Sequence, residues 1–181
     1  MKETKIKKNL QFVLLYILLL AANPWLMVLI REWSNIGKIN FSFTANGLTS
    51  SLSRYFYSFS GNFLFFNGDW FSLGKAMGSQ GVLYLADALL LAFGLVFLIR
   101  AKRDFWDNLM LCLLFLAPLP SVIFPQNALT ITSSLMIFPL IFIIASGVSA
   151  MLKRDKRWLI PLTPFYLISF LRFYDLYFLH P

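Results

Sequence analysis

Residues 82–103 read VLYLADALLLAFGLVFLIRAKR, an apolar run with one carboxylate near its start, Asp87, that stops at Arg100, Lys102 and Arg103. Crossing the hydrocarbon of a bilayer takes about 20 residues of helix at roughly 1.5 Å each. Basic residues just beyond such a run are retained on the cytoplasmic side. This stretch therefore reads as a membrane span that ends inside the cell, and it sets the class of the whole chain.

Working outward, four further apolar segments of similar length occupy residues 10–30, 106–124, 128–152 and 158–178. Together with 82–99 they predict an all-α, polytopic transmembrane helix bundle of about five spans forming a single membrane domain over residues 1–181. Pro24 is expected to kink the first span. Lys2, Lys5, Lys7 and Lys8 place the N-terminus in the cytoplasm. The clusters Arg100 to Arg103 and Lys153 to Arg157 then fall at the two junctions that this topology places inside. The loop over residues 31–81, the turn FPQNA and the C-terminus face outward, so the chain is expected in the cytoplasmic membrane. The basic start and apolar run have the look of a signal peptide, but the apolar part continues through AANPWLMVLI with no small-x-small cleavage site. It is read as a retained span.

Composition agrees: 59% of residues are hydrophobic, 13% are charged and mean hydropathy is +0.70, outside the range of soluble domains. The net charge of +8 sits mostly in the clusters beside spans, which argues against nucleic acid. Cys112 lies in an apolar run and reads as a packing residue. Trp25, Trp33, Trp106 and Trp158 lie near segment ends, as members of aromatic belts do.

The outward loop carries its own pattern. Leu48, Leu52, Tyr55, Phe56 and Phe59 recur at helical spacing, with Ser50, Ser51, Ser53, Arg54 and Ser58 largely off the stripe. The pattern predicts a short juxtamembrane amphipathic helix capped by Asn46, its apolar face in the headgroup region or on the bundle. Gly61, Gly68, Gly74, Gly78 and Gly81 punctuate the remainder as irregular structure.

Asp87 in the second segment, and Arg172 and Asp175 in the fifth, are charged residues about one turn in from the outer ends of apolar segments. A charge in hydrocarbon costs several kcal/mol unless it is paired, wet or turned inward. Two pairings stand open, Asp87 with Arg172 across helices and Arg172 with Asp175 at i, i+3. Either makes a structural ion pair; the alternative role is the polar floor of an outward cavity that meets a phosphate or sugar. The only histidine is His180, and the sequence has no Cys/His metal cluster, nucleotide-binding glycine motif or nucleophile elbow. A transporter would need polar residues repeated at mid-membrane, which the middle segments lack.

Several stretches, taken in order, resemble one family. Tyr55-Phe56-Tyr57-Ser58-Phe59-Ser60 and Phe63-Leu64-Phe65-Phe66-Asn67-Gly68-Asp69 are similar to a YxxHFSxxFLFFxGD stretch. Gly81-Val82-Leu83-Tyr84-Leu85 leads into a span with an early carboxylate, Leu116-Ala117-Pro118-Leu119-Pro120 resembles an LLAPLPA span end, and Tyr177-Phe178-Leu179-His180-Pro181 resembles a closing YFxHYP. This order is that of bacterial GT-C-type glycosyltransferases related to protein O-mannosyltransferases (glycosyltransferase family 39) and to the lipid A aminoarabinose transferase. The resemblance covers about residues 9–181, and it is to the C-terminal half of the family's membrane domain.

The resemblance implies a cavity at the outer interface in which a polyprenyl-phosphate sugar donor meets an acceptor. The family's acidic first-loop motif has no counterpart here, and neither do the Arg-His after Gly68-Asp69 nor the PHALR-like turn, replaced by Pro125-Gln126-Asn127-Ala128-Leu129-Thr130. The chain is thus expected to be inactive alone, needing an N-terminal half or partner membrane protein. Asp69, Lys75, Asp87 and Arg172 are the candidates for donor binding, with Lys75 in place of a missing basic residue. A divalent metal that could steady the departing phosphate has no ligand set in this chain. The alternative is a non-catalytic five-span scaffold or lipid-binding subunit.

Overall fold

The computed structural model describes residues 2–31, 48–67, 81–100, 104–123, 128–154, 157, 159–175 and 179. The described residues are all-helical. In chain order they form α1 (Lys2–Ala21), α2 (Pro24–Arg31), α3 (Leu48–Tyr57), a π-helical turn (Asn62–Asn67), α4 (Asp87–Arg100), α5 (Phe105–Leu116), α6 (Leu119–Ile123), α7 (Ala128–Arg154) and α8 (Leu159–Tyr174). Among them, Phe105–Val122 and Thr132–Lys153 are long and apolar enough to cross a membrane, and Leu10–Ala21 is a shorter apolar stretch.

The central post is α7, against which α1, α2, α4, α5 and α6 all pack. Residues 140–148 are buried on every side, which suits a helix apolar all round. Pro139 leaves one carbonyl of the preceding turn without its helical donor. Near it, the Tyr16 hydroxyl approaches the Phe138 carbonyl at 3.4 Å.

The broadest contact is α4 on α7. Leu90, Gly94 and Leu98 line one buried face of α4, while Leu89, Phe93, Val96 and Ile99 are exposed. Two glycines permit the approach. A Cβ on Gly94 would lie 1.9 Å from the Ile143 carbonyl oxygen, and one on Gly147 would lie 2.3 Å from that of Leu90. Backbone against backbone is how helices associate where lipid removes the usual hydrophobic drive.

Side-chain contacts fix the helix directions. Phe12 and Tyr16 meet Phe142 edge-on at 5.4 and 6.2 Å, and Trp25 reaches Ser134, so α1 and α2 run antiparallel to α7. Gly94 meets Gly147, and Lys153 lies 5.6 Å from the Phe97 ring, so α4 runs parallel to α7. Asp87 bonds Tyr166 and Tyr84 meets Phe173, which makes α8 antiparallel to α4. The basic C-terminal ends of α4 and α7 thereby gather at one end of the bundle.

Each expected segment contains a helix, but several boundaries moved. The first is broken at Ala22-Asn23, not merely kinked, because the Asn23 side chain caps α2 by accepting the Leu26 N–H at 3.2 Å and Pro24 opens that helix. The second becomes helical only at Asp87. The third divides around Ala117-Pro118, and Ser121 closes the turn on the Pro118 carbonyl at 2.6 Å. An Asp104/Asp107 capping box opens α5.

The amphipathic helix forms as α3, with its inward face unlike the sequence pattern. Ser51 and Ser58 are buried, and Tyr55 donates to the Phe115 carbonyl at 3.0 Å, whereas Leu52 and Phe56 are 52% and 63% exposed. The stripe is therefore split: Tyr55 and Phe59 pack on the bundle, the Phe59 ring 6.2 Å from that of Phe115, while Leu52 and Phe56 point away. Asn46, Trp33, Gly68, Gly74, Gly78 and residues 124–127 lie outside the described residues.

Candidate functional site

Between α1, α4, α7 and α8 runs a groove of about 320 Å³. Its walls are leucines of α1, Leu90, Ile141, Val148 and Leu162; at one end stand Asn23, Tyr84, Asp87, Thr163 and Tyr166. This pairing of a long apolar body with a compact polar end is the usual make-up of a small-molecule site.

The polar end is assembled by the chain between α3 and α4. The Leu83 N–H donates to the Leu64 carbonyl at 2.8 Å, and Gly81 packs so tightly on the Leu64 backbone that a Cβ there would sit 2.3 Å from its oxygen. This fixes Val82 and Tyr84 against the break between α1 and α2. Asn23 Nδ2 donates to the Val82 carbonyl at 3.2 Å, and the Tyr84 hydroxyl donates to the Ala22 carbonyl at 3.0 Å. A helix break in an apolar setting leaves carbonyls to satisfy. Here a side chain satisfies one of them.

Asp87, only 3% exposed, is the hub. Its Oδ2 accepts the Tyr84 N–H at 3.0 Å, three residues back, as the acidic arm of a capping box does at a helix start. Its Oδ1 accepts the Tyr166 hydroxyl of α8. A buried carboxylate without partners would cost several kcal/mol; with these two it becomes a tie between helices. The Tyr84 ring meets the rings of Tyr166 and Phe173 edge-on at 6.4 and 6.2 Å, closing that end with three aromatic rings.

The chain matches no family model, no curated protein sequence and no solved structure.

Of the sequence candidates, Asp87 is at the site and buried. Its oxygens are taken by Tyr84 and Tyr166, so the carboxylate meets a hydroxyl of α8 in place of Arg172. Tyr166 and Phe173, seven residues apart, share the inward face of α8. Arg172 is one position off Phe173, about 100° round the helix, and both it and Asp175 are exposed. Asp69 and Lys75 lie outside the described residues. Among the described residues, no group of three or more His, Cys, Asp or Glu could hold a metal ion.

Sequence reasoning missed Tyr166, Tyr84 and Asn23. Asn23 before Pro24 was a readable cap. Tyr84 carried no capping signal of its own, since only its backbone N–H reaches Asp87. Tyr166 carried no local signal, since its role exists only through contact with another helix.

Proposed function

We propose that this chain is the membrane portion of a GT-C-type glycosyltransferase, the part corresponding to the C-terminal half of that membrane domain. It forms one wall of the cavity in which sugar passes from a polyprenyl-phosphate donor to an acceptor at the outer interface. In this reading the five apolar segments all cross the cytoplasmic membrane, with the N-terminus inside. The observed helix directions favour that arrangement: α1 and α8 oppose α4 and α7, and the basic ends of α4 and α7 lie together. The polar end of the groove then lies toward the outer face, where sugar chemistry takes place.

The observation that carries the reading is the groove itself, hydrocarbon-lined along its length and ending on Asp87, Tyr166, Tyr84 and Asn23. Such a place suits a molecule that is part lipid chain and part hydroxylated head. Proton abstraction from the acceptor falls to a carboxylate supplied by a partner, and departure of the lipid phosphate needs a cation, which no described residue of the groove supplies. Lys75 and Asp69 keep their proposed place beside the donor. The test is sugar transfer from a polyprenyl-phosphate donor in native membranes with and without the chain. Transfer that depends on the chain, and that the purified chain cannot perform alone, supports the proposal; transfer indifferent to the chain refutes it.

One observation favours a second reading. Both oxygens of Asp87 are engaged by the protein's own groups, as in a structural tie. A non-catalytic scaffold or lipid-binding subunit would be built this way, and it would co-purify with a membrane protein while transfer proceeds without it.

A further inference from the structure

The hydrogen-bonding capacity left over at the end of the groove specifies the head group it can accept. The Tyr166 hydrogen is given to Asp87 and the Tyr84 hydrogen to the Ala22 carbonyl. Asn23 gives one amide hydrogen to Val82 and uses its oxygen on Leu26. Asp87 has accepted two bonds, while an ionised carboxylate offers roughly four acceptor sites. On these four residues what remains is chiefly acceptor capacity: Asp87 oxygens, the lone pairs of two tyrosine hydroxyls, and a single spare N–H on Asn23; Thr163, which also lines the groove, already has a partner of its own. Among the described residues, no Lys, Arg or His lines the groove.

From this we infer that the groove holds a lipid alcohol, a hydrocarbon chain ending in an uncharged hydroxyl, and excludes the phosphate ester of the same chain. A hydroxyl brings the hydrogen that these acceptors lack. A phosphate brings oxygens that also need donors, together with negative charge beside a buried carboxylate in a medium that screens poorly. A site with unmet acceptors discriminates strongly against a ligand that cannot donate. The inference deepens the transferase reading by giving this groove to a hydroxyl-bearing lipid and leaving the donor's phosphate to another part of the cavity. It depends on that reading only for the presence of lipid around the helices.

The test uses the full chain in nanodiscs with a diazirine-bearing long-chain alcohol and with the phosphate monoester of that alcohol. The alcohol is expected to label peptides containing Leu18 to Asn23 or Leu162 to Tyr166, and the ester to label them about tenfold less. Leu162→Trp, which fills the groove from α8, should abolish the alcohol's labelling while the protein stays folded. Asp87→Asn, which exchanges acceptors for donors and removes the charge, should narrow the difference between the probes. Equal or stronger labelling by the ester, or alcohol labelling that Leu162→Trp leaves unchanged, would overturn the inference. The transfer assay described above fails or succeeds independently, because it reads dependence on the chain and not head-group choice.

Discussion

Replacing Gly94 or Gly147 by alanine adds one methyl group where two helix backbones meet. At Gly94 the new carbon would lie 1.9 Å from the Ile143 oxygen, and at Gly147 2.3 Å from the Leu90 oxygen and 2.9 Å from the Gly94 nitrogen. Ordinary contact begins near 3.4 Å, so α4 and α7 must separate by roughly 1 to 1.5 Å. The nearest atoms are backbone and cannot rotate away to relieve the clash; the side-chain neighbour, Ile143 Cγ2 at 2.9 Å from the Gly94 position, lies beyond them. Overpacking of this kind costs about 1–3 kcal/mol, and the separation also loosens contacts along the broadest interface in the bundle. One separation relieves both clashes, so the double variant should cost clearly less than the sum of the singles, as expected for coupled neighbours. Gly61→Ala, where nothing lies within 4 Å of the new carbon, serves as the control. Reversible unfolding in mixed micelles would measure the four variants beside the wild type. Single variants within about 0.5 kcal/mol of wild type, or fully additive effects, would refute this account of the packing.

Other predictions concern the ties and the exposed stripe. Tyr166→Phe should destabilise the bundle by about 0.5–2 kcal/mol, the range for interhelical hydrogen bonds in membranes, and by more than Arg172→Leu, whose side chain is off the inward face. The same unfolding assay ranks them. Asp104→Ala removes the capping box of α5 and should cost about 1 kcal/mol, with local loss of hydrogen-exchange protection near residues 105–108. In a Cys112→Ser background, a fluorophore on Leu52→Cys should be quenched by lipid-borne quenchers, and one on Ser51→Cys should be shielded. Equal quenching at the two positions would contradict the orientation of α3.

What was legible in the sequence was what composition and period can encode. The apolar segments each gave a helix, and the i, i+4, i+7 spacing from Leu48 gave α3. The face of α3 that packs was only partly legible: Tyr55 and Phe59 of the stripe meet the bundle, but Ser51 and Ser58 are buried beside them while Leu52 and Phe56 are exposed. Gly94 and Gly147 read as ordinary residues of apolar helices until their backbones are seen to touch. Asp87 stood out as a charge inside a span, but its partner did not: of the two pairings left open, Asp87 with Arg172 and Arg172 with Asp175, the first gives way to the hydroxyl of Tyr166. The helix starts at Asn23-Pro24 and Asp104 to Asp107 were written in capping chemistry that hydropathy alone overlooks.

The measurement closest to the central claim is the lipid bound by the purified chain. Wild type and Leu162→Trp would be isolated from the same membranes in mild detergent and their lipids extracted and weighed by mass spectrometry. Wild type is expected to carry an uncharged long-chain alcohol enriched over the bulk membrane, and the groove-filled variant to lack it. Identical lipid content in the two proteins, with both folded, would contradict it.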